Sequence, residues 1–164
     1  YEPTVKLTVS DASCNALALR IPGWSPRTEV TRDGEVLPCF SGDYLYIENP
    51  APGEVITLCF DFTPYVTPGE GAYMGMSSIY RGPLLFGCDA SYCRKGDFDA
   101  LPVIDLARLD EAEAIPLDFY GRPCHSFTDA EGISLVTAEG VTLCDFYTLG
   151  QTGAPYTTWL FAGL

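Results

Sequence analysis

Chemistry in this chain would have to come from seven cysteines, one histidine or 22 acidic side chains. The cysteines are Cys14, Cys39, Cys59, Cys88, Cys93, Cys124 and Cys144. Cys88 and Cys93 have four residues between them, too loose for a zinc knuckle, and no second cysteine pair lies at a matching distance. His125 follows Cys124 directly, a spacing that suits neither a ligand pair on a strand nor a base beside its nucleophile. His125 therefore reads as an exposed loop residue, and no metal ligands are assigned. A Gly-x-Ser-x-Gly elbow is absent. Gly69-Glu70-Gly71 lacks the lysine and the following helix of a phosphate loop, and Asp129-Ala130-Glu131 is too sparse for a calcium loop.

Paired carboxylates are the machinery of sugar hydrolysis. Candidates are plentiful, among them Asp43, Glu48, Glu54, Asp61, Asp97, Asp99, Asp105, Asp110, Glu111 and Glu113. Such abundance makes chance pairs common, so solvated faces explain them and no catalytic residue is assigned. Aromatic side chains are more distinctive. Trp24 lies in Ile21-Pro22-Gly23-Trp24-Ser25, just past a strand pattern, and Tyr44 and Tyr46 share one strand face. Sugar rings stack on flat exposed aromatics, so Trp24 with Tyr44 or Tyr46 forms a candidate carbohydrate platform. The competing reading has Trp24 capping the core or packing on a neighbouring domain, and it is the preferred one. Arg20 and Arg81 sit in otherwise apolar strands. Each is expected to meet a carboxylate and to pin a loop or a domain interface. Tyr80, beside Arg81, joins the candidate interface residues.

The elements that would position these groups are strands. Hydrophobic residues make up 47% of the 164 residues, enough for a real core, and 16 Gly with 13 Pro imply many turns. Val5, Leu7 and Val9 alternate with Lys6, Thr8 and Ser10, and Leu17, Leu19 and Ile21 repeat the pattern. Asp33-Gly34 between two strand patterns predicts a tight hairpin. Tyr44–Ile47 follows as a strand, and Val55–Phe60 reads as a central one. Thr63–Gly75 carries two prolines and three glycines, so it reads as irregular and marks a boundary. Ser78–Phe86 reads as one strand kinked at Gly82-Pro83. Leu106–Ile115 is either a short helix or a strand and turn. Ile133–Thr137, Val141–Tyr147 and Tyr156–Phe161 are the closing strands. The expected fold is all-β, an antiparallel β-sandwich, either one unit or two small packed sandwiches over 1–66 and 67–164.

The formal net charge of −13 disfavours nucleic acid and anionic membranes as partners. No apolar run reaches the length of a spanning helix. The chain opens at Tyr1 without a basic-then-apolar leader and reads as an excised piece. Cys59 and Cys144 fall inside apolar strand patterns, so most of the cysteines read as reduced core thiols. A bacterial cytoplasm and secretion both stay open, with reduced thiols favouring the cytoplasm.

Several segments, in order, carry a family resemblance. They are Leu19-Arg20-Ile21-Pro22-Gly23-Trp24, Gly42-Asp43-Tyr44-Leu45-Tyr46-Ile47, Pro52-Gly53-Glu54-Val55-Ile56, Tyr80-Arg81-Gly82-Pro83-Leu84-Leu85-Phe86, Cys144-Asp145-Phe146-Tyr147, Gly150-Gln151-Thr152-Gly153 and Thr158-Trp159-Leu160. Together they resemble the middle and C-terminal β domains of glycoside hydrolase family 127, the β-L-arabinofuranosidase-like enzymes. The resemblance implies a zinc-bound cysteine nucleophile and a glutamate on an upstream (α/α)₆ barrel. That centre maps onto no residue of this chain. What the resemblance leaves here is a non-catalytic accessory region without a cofactor of its own. Its expected partner is the barrel of the same parent chain, and its expected setting is arabinose-containing glycans. A carbohydrate-binding module and an independent protein-interaction domain are the alternatives.

Overall fold

The structure is a computed structural model that describes residues 3–11, 13–91, 103–116, 133–138, 140–151 and 153–163. Cys93, Asp97, Asp99, Cys124, His125, Asp129, Ala130, Glu131, Glu139 and Thr152 lie outside the described residues. The fold is all-β, built from antiparallel sheets in a sandwich-like arrangement. Division falls between Phe62 and Thr63, giving two compact units, Tyr1–Phe62 and Thr63–Leu164.

The first unit contains β1 (Thr4–Thr8), β2 (Ala16–Arg20), β3 (Glu29–Arg32), β4 (Glu35–Leu37), β5 (Tyr44–Glu48) and β6 (Val55–Cys59). One sheet has the order β1-β6-β3-β4, and β2 pairs with β5 in a second. The expected central strand is β6, hydrogen-bonded to β1 on one side and β3 on the other. Its burial is one-sided, however: Ile56 and Leu58 are buried while Cys59 is exposed. Buried Val9, Ile21, Val30, Ile47, Ile56 and Leu58 form the core, with Leu17, Leu19 and Leu45 of the second sheet packed against them. Burying each such side chain is worth about 1.5–3 kcal/mol. The Asp33-Gly34 turn has φ of 48° and 87° at its two residues, the positive pair that a type I′ hairpin needs. Asp33 also ties this turn to the next strand: its N–H donates to the Val55 carbonyl at 2.8 Å, and its Oδ1 accepts from the Val55 N–H at 2.9 Å.

The second unit contains β7 (Pro64–Pro68), β8 (Met76–Arg81), β9 (Leu84–Asp89), β10 (Val103–Asp105), β11 (Glu113–Pro116), β12 (Ile133–Val136), β13 (Thr142–Asp145), β14 (Tyr156–Thr157) and β15 (Leu160–Gly163). These join in one sheet ordered β10-β15-β8-β9-β13-β12-β11, with β7 on β8 and β14 on β9. Ile79, Phe86, Ile104, Leu135, Leu143 and Leu160, from strands spread across that order, share one buried cluster. The sheet must therefore curl over its own core.

The structure departs from the expected pattern in the 63–75 segment and at Gly82-Pro83. The segment read as irregular contains β7, paired antiparallel with β8. Gly69 N–H donates to the Met76 carbonyl, so odd-numbered positions of β7 face the ladder and Pro64 and Pro68 fall in the non-bonding register. Gly82-Pro83 is a hairpin turn between β8 and β9 rather than a kink within one strand, because Arg81 pairs with Leu84. Gly82 has φ 58°, and proline after it supplies the negative φ of a type II′ turn. The Leu106–Ile115 stretch divides into a 3₁₀ helix, Leu106–Glu111, and strand β11. One pairing departs from the antiparallel rule: β10 runs parallel to β15.

Candidate functional site

The open face of the β2–β5 sheet gathers the most exposed aromatic surface among the predicted site residues. In β5, Leu45 and Ile47 turn to the core and Tyr44, Tyr46 and Glu48 turn outward. In β2, Leu17 and Leu19 turn inward and Ala16, Ala18 and Arg20 outward. Register places Ala18 opposite Tyr46 and Arg20 opposite Tyr44. The alanines are too short to cover the neighbouring rings, so Tyr44 stays 51% and Tyr46 65% exposed. The two rings lie 6.4 Å apart, centroid to centroid, at an interplanar angle of 36°. They form a shallow, slightly twisted surface rather than a closed stack.

Arg20 holds one end of this surface. Its Nη1 donates to the Ile21 carbonyl at 3.2 Å and the Asp43 carbonyl at 3.1 Å, and its guanidinium carbon sits 5.3 Å from the Tyr44 ring centroid. This is cation–π geometry. The carboxylate partner expected for Arg20 is replaced by two carbonyls and a ring, because Arg20 is exposed and carries no burial cost to offset. Asp43 Oδ1 accepts the Tyr44 N–H at 2.8 Å, which fixes the entry into β5.

Trp24 packs elsewhere. Its half-buried ring meets Phe60 at 5.5 Å and Phe62 at 5.6 Å. The surrounding loop is fastened to the same segment. Buried Ser25 Oγ accepts the Asp61 N–H at 2.7 Å and the Thr28 hydroxyl at 2.7 Å. Arg27 Nε donates to Asp61 Oδ2 at 2.7 Å, and this pairing raises the Arg27 guanidinium above its ordinary value. These contacts fit the packing role for Trp24 and leave the exposed surface to Tyr44 and Tyr46.

In the second unit, Tyr80 stacks on Tyr65 at 5.3 Å and 13°, a cross-strand pair of β7 and β8. The Tyr65 hydroxyl donates to the Gly82 carbonyl at 3.3 Å. Burial, and then the neighbouring Tyr80, raise the Tyr65 phenol above its ordinary value. Arg81 is half-buried, and burial lowers its guanidinium below the ordinary arginine value. Tyr65 was missed in the sequence because its strand carries prolines at both ends. Two fully buried carboxylates were missed as well. Asp89 accepts N–H bonds from Ser91 at 2.8 Å and Gly150 at 2.9 Å, and Asp145 Oδ1 accepts from Thr148 N–H at 2.9 Å. Both brace backbone turns. Among the described residues, no group of three or more His, Cys, Asp or Glu side chains is placed to hold a metal ion. No helix of the described residues is long and apolar enough to cross a membrane.

The architecture recurs in known structures. A glycoside hydrolase aligns with 99% of this chain at a TM-score of 0.76 and 17% identity, using 31% of its own length. A GH127 β-L-arabinofuranosidase from Geobacillus stearothermophilus T6 aligns with 99% at a TM-score of 0.70 and 19% identity, using 29%. A GH127 β-arabinofuranosidase aligns with 99% at a TM-score of 0.73 and 16% identity, using 30%. The chain thus has the fold of a β region that occupies about 30% of these glycoside hydrolases. Among curated proteins, a plasminogen of Petromyzon marinus is 30% identical over 109 residues, 60% of this chain and 33% of the plasminogen. The chain spans about a third of the length of that relative. No family model matches.

Proposed function

We propose that this chain is a non-catalytic β region of a glycosidase acting on arabinose-containing glycans, packed on an (α/α)₆ barrel of the same parent chain. One observation carries the reading: 99% of the chain is matched by a region filling only about 30% of each GH127 structure. The plasminogen likeness covers a smaller share of the chain and supports no competing role. The surface of the second unit agrees with a covered role. Val103 and Phe161, cross-strand partners of β10 and β15, are 58% and 46% exposed, and Met74 is 80% exposed. Apolar side chains displayed in this way mark surfaces that another body covers.

The test compares the parent chain with and without this region. Deleting it is expected to lower the barrel's melting temperature by several degrees, while the isolated region leaves aryl arabinofuranosides intact. An unchanged barrel, or hydrolysis by the isolated region, would overturn the proposal.

A further inference from the structure

We infer that the outward face of the β2–β5 sheet is a binding platform for an uncharged glycan chain, with Tyr44 and Tyr46 as the stacking groups. The inference does not depend on a barrel partner, and it would hold equally for a free-standing module.

Four observations carry it. First, the rings are open: Tyr44 is 51% and Tyr46 65% exposed, and the residue of β2 opposite Tyr46 is only Ala18, with Arg20 opposite Tyr44. A phenol ring presents a flat apolar face with a polar tip, the combination that the C–H face and hydroxyl rim of a sugar require. Second, the rings stand two residues apart on one strand, 6.4 Å between centroids, so they can be met by successive sugar residues along the strand direction. Third, the platform is built before any ligand arrives. Arg20 lies over Tyr44 and is itself held by the carbonyls of Ile21 and Asp43, while Asp43 Oδ1 fixes the Tyr44 backbone. Side chains already ordered lose less freedom on binding. Fourth, the rim is polar. The two phenol hydroxyls, the outer guanidinium nitrogens of Arg20 and the outward-facing Glu48 carboxylate offer donors and acceptors for hydroxyl groups.

Charge selects the ligand within this class. The chain carries a formal −13, and Asp43 and Glu48 flank the rings. Polyuronic acids, sulfated glycans and nucleic acids are repelled by such a field. An uncharged polysaccharide pays no such penalty and gains contact along its length.

The experiment is calorimetric titration of the 164-residue chain with soluble neutral arabinan, arabinogalactan, xylan and β-glucan, and with polygalacturonate as the anionic comparison. At least one neutral polymer is expected to bind, and polygalacturonate is not. Tyr46→Ala should weaken that binding roughly tenfold, with Tyr46→Phe retaining most of it, because the ring face does the stacking. Circular dichroism melting of each variant separates loss of binding from loss of fold. Tyr46 is outward-facing, so its truncation is expected to leave the melt unchanged. Absence of binding to every neutral polymer at millimolar sugar residues would overturn the inference. So would binding that Tyr44→Ala and Tyr46→Ala both leave intact, or preferential binding of polygalacturonate. A barrel that ignores deletion of this region would sink the accessory role and leave the platform standing.

Discussion

Trp24 and Glu54 show how individual side chains serve the first unit. The Trp24 indole is enclosed by Phe60 and Phe62, next to the Ser25 and Arg27 bonds to Asp61. Trp24→Ala removes a large half-buried ring and should cost about 2 kcal/mol, below the full-core range because the site is partly solvated. Trp24→Phe should cost less. Urea unfolding measures both, and equal loss for the two would contradict a packing role. Glu54 supplies a pH dependence. Arg32 Nη2 pairs with Glu54 Oε1 at 2.5 Å, and that hydrogen bond is the main cause lowering the Glu54 carboxyl below its ordinary value. Near pH 4 the unfolded chain then binds the proton that the folded chain refuses, so stability falls as pH drops through this range. The contribution is present above the unfolded value of about 4.3 and lost as pH falls through the lower folded value. Glu54→Gln is expected to flatten this acid limb in melts taken between about pH 3 and 6. An unaltered slope would show that the pair does not persist in solution.

Turns decide the element scale. Gly82 opens the β8–β9 hairpin with φ 58°, and an alanine there would enter a region that its Cβ disfavours. Gly82→Ala is predicted to cost about 1 kcal/mol, read from the denaturation midpoint. Pro83→Ala should cost less, since only a pre-set φ is lost. This turn also marks where sequence reading stops. Alternation in β1, β2 and β5 was legible because one face of each meets a core, and Asp33-Gly34 was legible because its turn type demands those residues; β6 looks apolar on both faces in sequence but buries only one. Gly82-Pro83 was ambiguous: the same dipeptide can kink a strand or close a hairpin, and only the Arg81–Leu84 pairing decides. Strand β7 was hidden because proline's cost depends on which register faces the ladder, a property of its partner β8. Parallel β10–β15 joins residues too distant for any local pattern. For the candidate surface, the shared face of Tyr44 and Tyr46 was plain from their spacing. The place of Arg20 over Tyr44 needed the β2–β5 register.

For the whole molecule, charge is the leading physical term. A formal −13 across 164 residues makes the folded chain repel itself. Raising salt from about 20 to about 200 mM shortens the screening length roughly threefold and should raise the melting temperature by a few degrees. A fall in melting temperature would mean that attractive pairs such as Arg27–Asp61 and Arg32–Glu54 outweigh the net repulsion.

The chain has two tryptophans, and each unit holds one of them. Trp24 lies among phenylalanines, while Trp159 stacks on Tyr73 at 4.7 Å and 15°. Phenylalanine absorbs almost no light at the wavelengths that excite indole, whereas tyrosine at this separation passes its excitation to the indole with high efficiency. The molecule therefore carries two built-in optical reporters, one in each unit. A red-edge wavelength, beyond tyrosine absorption, excites both indoles directly. Trp24→Phe leaves a single indole, so with red-edge excitation the folding of residues 63–164 can be followed by fluorescence without attaching a dye.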